Sequence, residues 1–221
     1  MTSRRELIGA VAGLGLSMTA MPSWAQDFTP IAGKDYTVVR PPLPYAQRPI
    51  LIHDFFAYTC PHCLQFEPVM SRFVEEARTM ADVRIVPVPV AWNESYSVFP
   101  RVYFAFESMK RMDDLHPEFW QWVIRGEHDW KDSADVEAGV LDWVAQHGVN
   151  KDQFKKLINS FAIVSKYRTA TQTWKQYGVD STPCVGIAGR FITAPHLTGT
   201  RSGTIDVVKY LIDTVRKESA K

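Results

Sequence analysis

Cys60 and Cys63, separated by Pro61-His62, are the residues of this chain best placed to do chemistry. Two cysteines three apart on the first turn of a helix come close enough for a disulfide when the backbone is suitably arranged. At a helix N-terminus the first cysteine meets unpaired N–H groups and the positive end of the dipole, so its thiolate is stabilised and its pKa falls. The second, one turn further in, is expected to be shielded. The spacing therefore divides the labour: Cys60 attacks or is attacked, and Cys63 resolves the mixed disulfide. Thiolate pKa values in such motifs run from about 3.5 to about 7. A value near 3.5 stabilises the dithiol form by about 5 kcal/mol at pH 7, on the order of 100 mV towards oxidant. His62 can add a hydrogen bond or a positive charge at the Cys60 sulfur, so Pro-His between the cysteines favours a disulfide donor.

Other uses of the pair fit less well. A structural Cys60–Cys63 disulfide closes too short a loop to constrain the unfolded chain much. A c-type haem site needs histidine at position 64, which is Leu64. A zinc site needs a second pair of ligands, for which Cys184 and His196 are the available residues.

The elements around the pair read as those of a mixed α/β chain. Tyr36–Val39 forms a short strand, and Ile50–Tyr58 is an apolar, aromatic run that leads straight into Cys60. Leu64, Phe66, Val69, Met70, Phe73 and Ala77 then recur at helical spacing, so a helix begins close to Cys60. Pro61 suits its first turn, and Pro68 should kink it. A further strand spans Val83–Val90, although Pro87 and Pro89 argue against a plain central strand beyond Val86. Helical patterns cover 98–112, 117–125, 133–147, 151–160 and 163–177. Cys184–Ala188 and Arg190–Thr193 form a hairpin around Gly189, and Ile205–Val215 closes the chain as an amphipathic helix. Without the middle helices the order is β-β-α-β…β-β-α. This predicts a thioredoxin-like domain over 26–96 and 178–221, with an all-helical insertion over 97–177.

The N-terminus carries an export signal in residues 1–25. Arg4 and Arg5 precede an apolar run from Leu7 to Ala20, and Ser23-Trp24-Ala25 supplies small residues for cleavage. The apolar run is too short to span a bilayer. Ser3-Arg4-Arg5-Glu6-Leu7-Ile8 also resembles a twin-arginine signal. Removing these residues leaves 196, with equal numbers of acidic and basic side chains. Nothing in that balance argues for nucleic acid. The three cysteines do not make a disulfide framework, whose cysteines normally come in even numbers. They read instead as a reactive pair plus one.

With these residues in place, the sequence resembles the DsbA family of periplasmic disulfide oxidoreductases across essentially the whole mature chain. Phe55-Phe56-Ala57-Tyr58-Thr59-Cys60-Pro61-His62-Cys63-Leu64-Gln65-Phe66-Glu67 is similar to the family's catalytic stretch. The resemblance implies a periplasmic protein that donates its Cys60–Cys63 disulfide to exported proteins with free thiols. It also implies reoxidation by a DsbB-like, quinone-linked membrane oxidase, and no cofactor beyond the redox-active pair. Ser181-Thr182-Pro183 matches the family's cis-proline loop, which would hold Thr182 beside the sulfurs and pair with an extended substrate. Asp54 corresponds to a buried acid beneath the active site, expected to titrate high and to move protons during exchange. Arg84 lies on the strand where relatives place a basic partner for that acid. Glu67 is expected on the exposed side of the helix, with a weak influence on Cys60, and His53 as an ordinary strand histidine.

Two features depart from the family's pattern. Thr182 before the proline is also a mark of isomerase-like relatives. Cys184 after it is unusual, and it is expected to be a buried, inert thiol; the alternatives are a mixed disulfide or a metal ligand. The aromatic and Met residues Met109, Phe119, Trp120, Trp122 and Trp143 of the insertion read as core. A monomer is expected. The competing functions are a reductase or isomerase of the same fold and a thiol-based metal carrier. No added dimerisation domain fits in the short stretch before the catalytic strand.

Overall fold

The computed structural model describes residues 29–45 and 48–219, so the signal in residues 1–25 lies outside the described residues. Five strands form one mixed sheet in the order β1-β5-β4-β2-β3. They are β1 (Thr37–Val38), β2 (Ile50–Phe56), β3 (Val83–Pro89), β4 (Cys184–Ile187) and β5 (Phe191–Thr193). β2 and β3 run parallel, joined by α1 (Pro61–Ala77), and the remaining pairs are antiparallel. The long excursion between β3 and β4 contains a 3-10 turn (Glu94–Tyr96) followed by helices only. These are α2 (Val98–Met109), α3 (Met112–Arg125), α4 (Ser133–Gln146), α5 (Lys151–Ile158) and α6 (Phe161–Tyr177). The chain ends with the short α7 (Pro195–Thr198) and with α8 (Arg201–Ser219). No helix among the described residues is long and apolar enough to cross a membrane.

Side-chain alternation on β2 divides the interior in two. Ile50 and Ile52 face α1 and α8, where they pack with Phe66, Met70, Val208 and Leu211. Phe55 faces the other way, into a larger cluster built with the helices between β3 and β4. In that cluster Phe119, Trp120 and Trp143 are core, while Met109 and Trp122 are partly buried against it.

The polar breaks between helices are caps. The Asp132 carboxylate accepts from the N–H groups of Ala134 and Asp135, and Asn150 and Ser160 cap α5 and α6 likewise. Ser160 thereby starts α6 at Phe161, two residues before its apolar pattern begins. α3 starts at Met112, ahead of Pro117, which the helix accommodates internally; Asp113 and Asp114 in its first turn complement the dipole. α1 likewise runs uninterrupted through Pro68.

β3 extends to Pro89 in spite of its prolines because it is an edge strand. The Val90 N–H points at the Phe56 carbonyl, so by alternation the nitrogens of Pro87 and Pro89 face away from β2 and no ladder bond is lost. The hairpin turns at Ala188 and Gly189, both with positive φ (52° and 67°). The Arg190 N–H bonds back to the Ile187 carbonyl, and the pairing of Ile187 with Phe191 makes this a three-residue connection, Ala188 to Arg190.

Candidate active site

β2 delivers the chain to a tight turn closed by the Cys60 N–H donating to the Ala57 carbonyl at 3.0 Å. Cys60 is the N-cap of α1, with extended backbone angles (φ −101°, ψ 108°), and its Sγ accepts from the Cys63 N–H at 3.3 Å. Pro61 takes the first helical position, where a missing N–H costs nothing. Cys60 is half-buried and Cys63 is buried, and both thiols are free in this structure.

From the far side, the cis Thr182–Pro183 bond places the Thr182 carbonyl 3.2 Å from Cys60 Sγ. The bonds Arg40–Pro41 and Arg48–Pro49 are also cis. In its thiol form Cys60 donates to that carbonyl. As a thiolate it relies on the Cys63 thiol first, then on the Thr182 side chain and the backbone N–H groups of Cys63 and His62, against a cost of burial. The balance holds its pKa down at about 6. Cys63 is driven the opposite way, far above an ordinary thiol, by burial first and then by its bond to Cys60 and the Cys60 charge. The two sulfurs are thus unequal by geometry.

His62 is exposed, and the groups acting on the Cys60 sulfur include its backbone N–H but not its imidazole. His62 also lines a cleft of about 320 Å³ beside the Thr182–Pro183 loop, with Thr182, Pro183, Pro195, His196 and Arg201.

Asp54, on β2, is only 8% exposed. Its pKa is raised to about 8 by burial and, secondarily, by the charge of Glu67. The register sets it opposite Pro87 on β3 and Val185 on β4, while Arg84 pairs with Leu51 and is exposed. Neither of its neighbours across the strands is a cation, and no cation among the described residues acts on its carboxyl. Glu67 is half-buried rather than exposed, accepts from Ser71 Oγ at 2.6 Å, and acts on Asp54 and Tyr58 rather than on Cys60. Asp54 and Glu67 share a cavity of about 630 Å³ with Tyr103, His116 and Trp120.

Part of this environment escapes a reading of the sequence. Tyr58 OH and His116 Nδ1 are 2.6 Å apart, joining the turn before Cys60 to α3. Burial lowers His116 to about 4, so its ring is neutral at pH 7. Its position one turn before Trp120 in an otherwise apolar face is the signal that could have marked it. Trp120 Nε1 and Gln121 Oε1 are buried without a partner among the described residues. His53 bonds the Tyr177 hydroxyl at 3.0 Å on the other face of the sheet, and burial holds it down at about 4.

Cys184 pairs with Phe55 across the sheet, so its thiol lies on the face opposite Asp54, 3% exposed. Burial drives its pKa far up, which makes it a poor nucleophile. His196, by contrast, is exposed in the cleft. Among the described residues no three His, Cys, Asp or Glu side chains are grouped as a metal set would require.

A thioredoxin fold that presents one activated thiol over one shielded thiol, against a cis-proline loop, defines a thiol–disulfide oxidoreductase. Residues 51–202 match the DSBA-like thioredoxin domain, and the chain belongs to that family. It is 29% identical over 219 residues to the thiol:disulfide interchange protein DsbA of Bordetella parapertussis, covering 98% of this chain and 99% of that protein. It is 31% identical over 206 residues to the protein of the same name in Pseudomonas aeruginosa, covering 93% and 94%. The crystal structure of Pseudomonas aeruginosa DsbA superposes with a TM-score of 0.77 at 28% identity, over 89% of this chain and 99% of that one.

Proposed function

We propose that the protein works in the periplasm as a disulfide donor to exported proteins, with the Cys60–Cys63 pair as its whole redox centre. A client thiolate attacks Cys60 Sγ, the Cys60–Cys63 bond breaks, and the electron pair leaves on Cys63 Sγ, which takes up a proton. A second client thiolate then attacks the client sulfur of the mixed disulfide and expels Cys60 as a thiolate. The client is oxidised by two electrons and the protein is left as a dithiol. A DsbB-like, quinone-linked membrane oxidase restores the disulfide. Thr182 and Pro183 receive the client backbone as an added strand. Asp54, which burial keeps protonated at neutral pH, supplies the proton that Cys63 takes up and regains it when the disulfide re-forms. In this reading residues 1–25 are the export signal, 97–177 the helical insertion and the remainder the thioredoxin-like unit, acting as a monomer.

The carrying observation is the opposed behaviour of the two thiols, with Cys60 at about 6 and Cys63 far above it. A leaving group ionised at neutral pH departs without needing a proton, whereas Cys63 cannot. The test is the equilibrium reduction potential of the pair against glutathione. A value clearly less negative than thioredoxin's, about −270 mV, and towards DsbA's, about −120 mV, supports a donor. A value at or below about −270 mV makes the chain a reductase fed by an electron donor.

A further inference from the structure

The cleft beside the Thr182–Pro183 loop has a charge character that the disulfide chemistry itself does not require. Three of its six lining side chains are basic or potentially basic, His62, His196 and Arg201, and none is acidic. They come from three segments: the start of α1, α7, and the first residue of α8. None of the three is in an ion pair among the described residues. Arg201 bonds the Gln65 side-chain oxygen, a neutral acceptor that leaves its charge uncompensated. Arginine keeps that charge at any working pH, and both imidazoles present N–H donors in either protonation state. Neither α1 nor α8 carries an acid in its first turn, so no acidic side chain there offsets the positive ends of these two long helices. The neighbouring acids are turned elsewhere: Glu67 faces Asp54, and Asp180 accepts from Ser181 Oγ outside the cleft.

We infer that this cleft selects client segments that carry a carboxylate beside the reacting cysteine. The inference rests on the donor reading above and names the substrate class of the same site. An acidic flank makes a client thiol a poorer nucleophile by opposing its ionisation. Arg201 and the two imidazoles reverse that penalty once the segment is seated. The redox cycle then favours release. The disulfide form has no charge on its sulfurs, whereas the dithiol form places the Cys60 thiolate at the edge of the same cleft. An anionic segment is therefore held more tightly before electron transfer than after it.

The experiment uses the protein in its disulfide form and three dithiol peptides of identical core, flanked by Asp, Asn or Lys. Exposed charge pairs change affinity by a factor of up to about five each. The Asp peptide is therefore expected to exceed the Lys peptide in kcat/KM by about three- to tenfold at low ionic strength, with the gap closing as salt rises. Arg201→Glu reverses the order. Where the peptides are oxidised, rates within twofold of one another, or an order unchanged in Arg201→Glu, overturn the inference. Peptides with Ser in place of both cysteines report binding without chemistry. If no peptide is oxidised but the Ser peptides still bind in the order Asp, Asn, Lys, the donor reading fails and the selectivity stands. If that binding order is lost, the selectivity fails.

Discussion

Asp54→Asn should make the protein more stable at neutral pH, and by an amount that depends on pH in one direction only. Asp54 is buried with no facing cation, and its pKa rises from the ordinary 3.8 to about 8. Below about pH 3.8 the carboxyl is protonated in both folded and unfolded chains and costs nothing. Between 3.8 and 8 the unfolded chain ionises while the folded one does not, so stability falls by about 1.36 kcal/mol per pH unit. At pH 7, roughly three units into that window, the loss is on the order of 4 kcal/mol, and above about pH 8 it levels off. Asparagine keeps the shape and removes the titration. Its amide N–H groups need partners that the carboxyl did not, a cost of about 1 kcal/mol. The expected net gain at pH 7 is therefore about 2–4 kcal/mol, shrinking to nothing or a small loss near pH 4. Urea unfolding of both proteins as disulfides, from pH 4 to pH 8.5, isolates the effect, because neither Cys60 nor Cys63 titrates and the groups not coupled to Asp54 cancel in the difference. Parallel stability curves, or a variant less stable at pH 7, would falsify the assignment of Asp54 as a carboxyl kept neutral by burial.

Iodoacetamide alkylation of Cys60 in the reduced protein should have its midpoint near pH 6, and Thr182→Val should move it upward by removing one of the groups that favour the thiolate. A wild-type midpoint above pH 8 contradicts the geometry. Cys184 should resist alkylation until the protein unfolds, being 3% exposed. Mass mapping that finds it labelled as fast as Cys60 in the native state sinks the inert-thiol reading. Tyr58→Phe and His116→Phe each leave a buried polar atom unpaired and should each cost about 1–3 kcal/mol in urea unfolding. The double variant should cost less than their sum; simple additivity means the 2.6 Å contact carries no coupling.

How much of this was legible in the sequence depended on how far apart the interacting residues lie along the chain. The Cys60–Cys63 pair, the helix after it and the hairpin at Gly189 are local patterns, and the side chains that cap α4, α5 and α6 are visible as polar breaks. Glu67 was misplaced because helical spacing puts it at the margin of the apolar face of α1, and only the approach of β3 and α3 closes over it. The extent of β3 could not be judged from Pro87 and Pro89 without knowing that it lies at the edge of the sheet. Tyr58 and His116 meet across 58 residues, and the basic cleft draws on residues 62, 196 and 201. No pattern of period 2 or 3.6 carries such information.

The position of the Cys60 sulfur also sets an expectation for the strength of the oxidant. Its donors, the Cys63 thiol, the Thr182 side chain and the backbone N–H groups of Cys63 and His62, favour the thiolate. The Thr182 carbonyl at 3.2 Å works against them, because it accepts a hydrogen bond only from the thiol. With the outcome at about 6 and the sulfur half-exposed, solvent screening leaves only a modest stabilisation of the dithiol form at pH 7, well short of that of a thiolate near 3.5. The imidazole of His62 is not among the groups that favour the thiolate. A potential between those of thioredoxin and DsbA is therefore the expected value for this chain. A measured potential as high as DsbA's would require a further stabiliser of the dithiol form, and the His62 ring, brought to the sulfur, is the nearest group able to supply it.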